Sequence, residues 1–364
     1  MKKRIIILFI NLYFCKAMNT LSVSFLEYLY QMQKETTLHG KWIQYADIFP
    51  ILKKSIIKPL QIGSSEEGTP IYSLKFGSGK KKILIWSQMH GNESTGTKAL
   101  FDLFNCFNKS KNDLFKTILA ECTILCIPML NPDGALKYTR ANANNIDLNR
   151  DAVAQKATES RLLRDVLNSF NPMFCFNLHD QRTIFGVEGA KKPATISFLA
   201  PSEEITRKIT EGRKATMNVI VAMNSLMQQV IPNHIGRYSD EFYPTATGDV
   251  FQKLGHPTIL IEAGHYPDDY EREKVRKFNF FALLKGINHI AITTEFTMYQ
   301  PYFDIPNNQK FFFDIIERTS EKKEDIGYQY KDTVIDNQLV SEKKIEKTGD
   351  LSNYLSHQEI ISKK

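Results

Sequence analysis

Residues 83–93, ILIWSQMHGNE, begin as an unbroken apolar run and end in an imidazole, His90, and a carboxylate, Glu93. Such a run reads as a strand covered on both faces, the kind found in parallel sheets flanked by helices. Two further stretches repeat the pattern: residues 174–181, FCFNLHDQ, run into His179, and residues 257–264, PTILIEAG, run into Glu262. A fourth apolar run, Cys122 to Met129, stops at the turn NPDG of residues 131–134.

Working outward, short strands are predicted over 59–62, 71–76, 82–87, 173–178 and 258–261. Helical spacing covers 22–34, 43–54, 94–107 (with Asn92 or Ser94 as cap), 158–170 and 270–292, and residues 202–230 read as one long helix or two. From about residue 70 to 292 strands and helices alternate, which predicts an α/β three-layer sandwich around a mixed, mainly parallel sheet. Ligands in such sheets gather at the carboxyl ends of the strands. Past residue 300 the pattern changes to short β-like runs at 309–315 and 327–334, then a polar, lysine-rich end. The expected organisation is a signal-like or extension segment at 1–17, a helical lead-in at 18–69, a catalytic domain at 70–299 and a small β-like appendage or tail at 300–364.

Apolar residues make up 42% of the 364 and charged residues 24%, the balance of a soluble globular protein. The net charge of +7 is spread through stretches such as Lys80 to Lys82 and reads as a solvated surface. No basic patch with interleaved aromatics and no known nucleic-acid module is present, so a nucleic-acid partner is not expected. The five cysteines form no CxxC pair, and Cys122, Cys126 and Cys175 lie in apolar runs, where a thiol acts as a small hydrophobe. MKKR followed by the apolar run Ile5 to Phe14 has signal-peptide proportions and is too short to span a bilayer, so stable membrane insertion is not expected. The alternative is a start at Met18 with an upstream extension. The thiols favour a cytoplasmic location; cleavage of residues 1–17 would make it periplasmic or secreted.

The strand ends carry the chemistry. A His-x-x-Glu step across a strand-to-helix turn aims His90 and Glu93 at one point, and zinc accepts both ligand types. His179, far downstream, supplies a third ligand if the fold brings it near, leaving a fourth position for water as in a catalytic zinc site. Glu262, in a run with no other charge, suits a general base with a raised pKa. Residues 131–151, NPDGALKYTRANANNIDLNRD, add Arg140, Asn149 and Arg150. Guanidiniums and an amide make an anion-recognition set, and an arginine near a metal can steady an oxyanion. Asp133 and Asp147 read as loop-positioning carboxylates, His265 as a loop residue or a partner that supports a ligand, and Asp180 equally as a turn residue or as a group orienting a ligand.

Taken together and in order, HGNE, NPDG, the stretch ending in DLNR, His179 and Glu262 resemble the zinc carboxypeptidases, the M14 metallopeptidase family, from about residue 70 to 290. The resemblance implies one zinc ion held by His90, Glu93 and His179. It also implies Glu262 as base, Arg140 at the oxyanion, and Asn149 and Arg150 on the free carboxylate of a peptide substrate. Tyr243, in YPTATGD, fits the family's mobile-loop tyrosine, with Tyr238 as its rival. Val250 falls near the expected floor of the side-chain pocket and would favour apolar residues; Asp249 beside it would favour basic ones. His179-Asp180-Gln181 replaces the family's usual His-Ser-Tyr. A related amidohydrolase or deacylase acting on N-acyl amino acids or murein peptides is the alternative implied by the same motifs.

Overall fold

The computed structural model describes residues 21–319 and 324–361. The reading of residues 1–17 lies outside these. Helices α1 (Val23–Gln33) and α2 (Tyr45–Lys54) precede strands β1 (Leu60–Ser64), β2 (Pro70–Phe76) and β3 (Lys81–Ser87). Helices α3 (Thr95–Lys109) and α4 (Asp113–Glu121) lead to β4 (Cys122–Ile127), and α5 (Pro132–Lys137) and α6 (Thr158–Phe170) lead to β5 (Phe174–Asp180). After β6 (Phe185–Val187) and β7 (Lys192–Pro193) come β8 (Ile196–Leu199), α7 (Glu211–Val230), β9 (Ile235–Arg237), α8 (Thr247–Lys253), β10 (Thr258–Ala263) and α9 (Glu273–Ile292).

The main sheet has eight strands in the order β1-β2-β4-β3-β5-β10-β8-β9. Its centre, β4-β3-β5-β10, is parallel throughout, while β2 and β8 run antiparallel to their inner neighbours. Alternation along β3 shows why the apolar run was needed. Ile83 and Ile85 enter a core shared with α1, α3, α4, α7 and α9, whereas Leu84 and Trp86 enter a second core shared with α6 and α8. Successive strand residues point to opposite faces, so a sheet with two helical layers favours apolar residues on both faces of its central strands. The α/β sandwich is as expected.

A buried ion pair ties the lead-in to this sandwich. Arg276 on α9 donates twice to Asp102 on α3, at 2.8 and 2.6 Å, and also to the carbonyls of Leu38 and Glu35. Both side chains are fully buried. The four cysteines among the described residues are buried and unpaired, and burial pushes the Cys122 thiol up to about 12.

One expectation needs correction. Residues 202–210 are not helical: the fully buried Arg213 draws the carbonyls of Arg207, Lys208 and Ala200 around itself, and α7 starts only after Thr210, whose hydroxyl caps it by accepting from the Arg213 N–H. Past residue 300 the chain folds into a second sheet. After β11 (Asn308–Lys310), which pairs with β6, strands β12 (Phe312–Arg318), β13 (Asp325–Ile335), β14 (Gln338–Gly349) and β15 (Leu355–Ile361) form a sheet in the order β14-β13-β12-β15. Its charged residues are the exposed face of a long hairpin. Among the described residues no helix is long and apolar enough to cross a membrane.

Candidate active site

The parallel centre of the sheet delivers the three expected strand ends to one edge. In the β5–β10 register His179 is paired with Glu262, so both side chains leave the same face about 5 Å apart at the backbone. On the other side of β5 the chain leaves β3, passes Gln88 and turns at Met89 into His90. Gln88 has a left-handed backbone, φ 52°, unusual for a residue with a side chain. Its amide donates to the carbonyls of Ile43 and Gly91 and accepts from Thr97, which holds the turn in place.

HGNE and NPDG meet here. A Cβ on Gly91 would lie 1.9 Å from the carbonyl carbon of Gly134, so only glycine lets the two main chains approach. Asn131 accepts the Gly134 N–H and donates to the Met89 carbonyl, directly before His90. Asp133 accepts from Ser65 and from the Glu67 N–H, the loop-positioning role read from sequence.

His90, Glu93 and His179 converge, their ligand atoms all within 4.8 Å of one another. One oxygen of Glu93 lies 2.8 Å from His90 Nδ1 and the other 2.8 Å from His179 Nδ1, and the two Nδ1 atoms are 3.1 Å apart. All three residues are buried. The Asp147 carboxylate lies 3.0 Å from His90 Nε2. A carboxylate only accepts, so that nitrogen carries the proton and Nδ1 turns a lone pair toward the cluster. Two imidazoles and a carboxylate aimed at one point fit a bound zinc ion. Burial disfavours the charged Glu93 carboxylate, but the flanking imidazoles win and hold it well below the usual carboxylate range.

Asp147 does more than shape its loop. Its second oxygen accepts from Arg140 Nε at 2.9 Å, and its first also takes the Asn149 N–H. Arg140, about half exposed, thereby reaches to 3.4 Å from Glu93. Removing such a ligand-orienting carboxylate weakens metal binding about 10–100-fold. Asp147→Ala is therefore expected to lose zinc affinity by that factor in a competition titration with a chelating dye; a loss under about twofold would show that Asp147 does not orient His90.

A cleft of about 730 Å³ opens over the cluster and is lined by Arg140, Asn149, Arg150, Tyr243 and Glu262, among others. All the expected site residues thus come together. Asn149 accepts the Thr247 N–H, and the Arg150 guanidinium sits 5.4 Å from the centre of the half-exposed Tyr243 ring. Tyr238 also lines the cleft but packs edge-on against Phe185. Burial, together with the nearby Glu93 and Asp180 anions, pushes the Glu262 carboxyl well above its ordinary range. Val250 does not form the pocket floor: it packs into the core with Trp86 and Phe251, and Asp249 lines the cleft instead. Burial raises the Asp249 carboxyl to about 6.

The altered HDQ segment is built into the walls. Asp180 accepts from Thr95 on α3, and Gln181 bonds the Ala194 carbonyl, Ser197 and Asn308. Sequence reading missed Gln88, Arg272, which donates to the carbonyls of Ala263, Gly264 and Gln181, and the cleft residues of β12 and β13. Nothing in their local patterns marked them.

Residues 43–211 match the model of the zinc carboxypeptidase family. Carboxypeptidase SOL1 of Arabidopsis thaliana is 35% identical over 98 residues, 25% of this chain and 20% of that protein. The probable carboxypeptidase 2 of Arthroderma benhamiae is 30% identical over 101 residues, 27% of this chain and 19% of that protein. The matched stretch is thus only about a fifth of these relatives' length. Among solved structures, a metallo-carboxypeptidase from Burkholderia cenocepacia has the same fold, with a TM-score of 0.54 at 19% identity over 68% of each chain. The carboxypeptidase A of Helicoverpa armigera aligns with a TM-score of 0.54 at 15% identity, covering 73% of this chain and 80% of that one.

Proposed function

Proceeding from the zinc carboxypeptidase match of residues 43–211, we propose that this chain is a metallocarboxypeptidase. It binds one zinc ion between His90, Glu93 and His179 and releases the C-terminal residue of peptides. The observation that carries the reading is that one cleft holds the ligand triad, the Glu262 carboxyl and the Asn149–Arg150 pair. Zinc bound at the triad supplies Lewis acidity and a water of lowered pKa. Asn149 and Arg150 grip the terminal carboxylate through an amide and a forked guanidinium. Glu262 takes the proton of the attacking water and returns it to the leaving amine. Arg140, held by Asp147, donates to the carbonyl oxygen as negative charge builds there. Tyr243 covers the carboxylate end beside Arg150.

Leu199, Pro201, Ala246, Leu260 and the Asp249 carboxyl are among the residues that line the cleft, and we assign them to the side-chain pocket. That combination suits a long side chain with an apolar stem and a cationic end, so lysine or arginine is the proposed C-terminal residue. Asp249 is an anion above about pH 6; the preference for basic ends therefore grows as pH rises through that value and fades below it.

The test is zinc-loaded protein with a mixed peptide pool at pH 5 and pH 8, read by mass. Peptides with a free carboxyl end should lose one residue, and their amidated counterparts should stay intact. At pH 8 those ending in lysine or arginine should shorten first. Chelation should stop the reaction. Hydrolysis of N-acyl amino acids with no shortening of peptides would replace this reading with the deacylase one, and pH-independent preference for apolar ends would remove Asp249 from the pocket.

A further inference from the structure

We propose that the C-terminal sheet is part of the substrate site: β12 and β13 form the wall that receives the portion of the peptide preceding the scissile bond. The inference rests on the carboxypeptidase reading above.

Hydrogen bonds leave the ligand triad in two directions. From His90 they run through Asp147 to Arg140 and Asn149, the carboxylate-gripping end. From Glu93 they run to the Asp180 N–H, and Asp180 stands 3.8 Å from Arg272, which leads into the segment 264–272. That second direction is where the sheet is fastened. Asp314 on β12 accepts from the Tyr270 hydroxyl and from the Tyr330 N–H. Gln329 accepts from Thr183, just after β5, and His357 Nε2 lies 3.0 Å from the Thr183 carbonyl. The His265 and His357 rings lie 4.0 Å apart, centre to centre. Lys41 of the lead-in closes the seam with a 2.6 Å ion pair to Asp332.

The sheet is therefore clamped to the loops that follow both catalytic strands, and Asp314, Gln329, Tyr330, Lys331 and Asp332 line the same cleft as the triad. A peptide anchored by its carboxyl end at Arg150, with its last bond at the triad, has its preceding residues directed to this remaining wall. Beside that wall, two polar atoms of the loops that hold it lack partners. Asp180 Oδ1 and His265 Nε2 are buried and make no hydrogen bond, although both side chains line the cleft and are more than nine-tenths covered. Buried polar groups are normally satisfied. A peptide main chain, with its alternating N–H and C=O groups, supplies partners of the kind these atoms lack. Tyr330 and Lys331, both exposed and both lining the cleft, lie on opposite faces of β13, with the Tyr330 ring edge-on to Tyr270.

Contacts with the remote part of a substrate act on hydrolysis of longer substrates and leave short ones alone. The test is a series of N-acetylated peptides from two to six residues with a common C-terminal pair. In the unmodified protein kcat/KM should rise about tenfold from the dipeptide to the tetrapeptide, the factor that one good contact supplies. Tyr330→Ala with Lys331→Ala should abolish the rise through KM and leave the dipeptide unchanged within about twofold. Lys343→Ala, on the same sheet but outside the cleft, should keep the full profile. On a Glu262→Gln background, calorimetry should show the tetrapeptide, and not the dipeptide, losing affinity with the same double change. A flat length profile in the unmodified protein, or an equal fall at every length in the double variant, overturns the inference. Absence of any peptide shortening would instead strike the carboxypeptidase reading itself.

Discussion

Glu262→Gln should lower kcat for C-terminal cleavage by about 10²–10⁴-fold, the usual contribution of a positioned general base, while zinc content and peptide affinity hold. The amide keeps the size of the side chain and its place opposite His179 in the β5–β10 register, but it cannot accept the proton of the attacking water. Glu262 is not one of the clustered ligand residues, so metal should remain bound. Zinc analysis of the purified variant, calorimetry with an uncleaved peptide and steady-state rates together read the result. A variant that turns over within about threefold of the parent would remove Glu262 as the base. One that loses zinc would make it a structural support of the cluster.

The second large effect concerns folding. Arg276→Met should destabilise the protein by about 3–5 kcal/mol, because it leaves the fully buried Asp102 without its bidentate partner. The carbonyls of Glu35 and Leu38 lose their donors as well, so the lead-in should loosen from α3 and α9. Adding Asp102→Leu removes the stranded charge and should recover much of the loss, since a buried pair replaced by apolar residues is often close to neutral. Denaturant melts of both variants decide this. A single variant within about 1 kcal/mol of the parent would mean that water or rearrangement already satisfies Asp102.

The sequence made the sheet centre and the metal cluster legible for one physical reason. Strands covered on both faces are apolar at most positions, so His90, His179 and Glu262 stand out at their ends. Asn149 and Arg150 drew notice as an amide and a guanidinium side by side, and both line the cleft, where Asn149 accepts the Thr247 N–H. Other parts depend on contacts that local patterns do not encode. The lysine- and glutamate-rich hairpin β13–β14 resembles a solvated tail because its outward face is solvated, and its register is set by pairing with β12. The Lys41–Asp332 pair joins residues from opposite ends of the chain. Gln88 looks like any polar residue after a strand, and its left-handed backbone follows from the turn it must make into His90. The expected pocket floor was open to a one-residue slip between Asp249 and Val250; helix α8 turns Val250 into the core and leaves Asp249 on the cleft.

The contact between Gly91 and Gly134 has a consequence for how this chain tolerates change. HGNE and NPDG are read as two motifs, yet in space they are the halves of one joint, closed main chain against main chain. A clash between side chains can be relieved by a second substitution that trims the neighbour. Here the obstacle to a methyl group on Gly91 is the peptide unit itself, which every residue carries. No suppressor elsewhere along the chain can make that room, so Gly91 holds its place by stereochemistry alone.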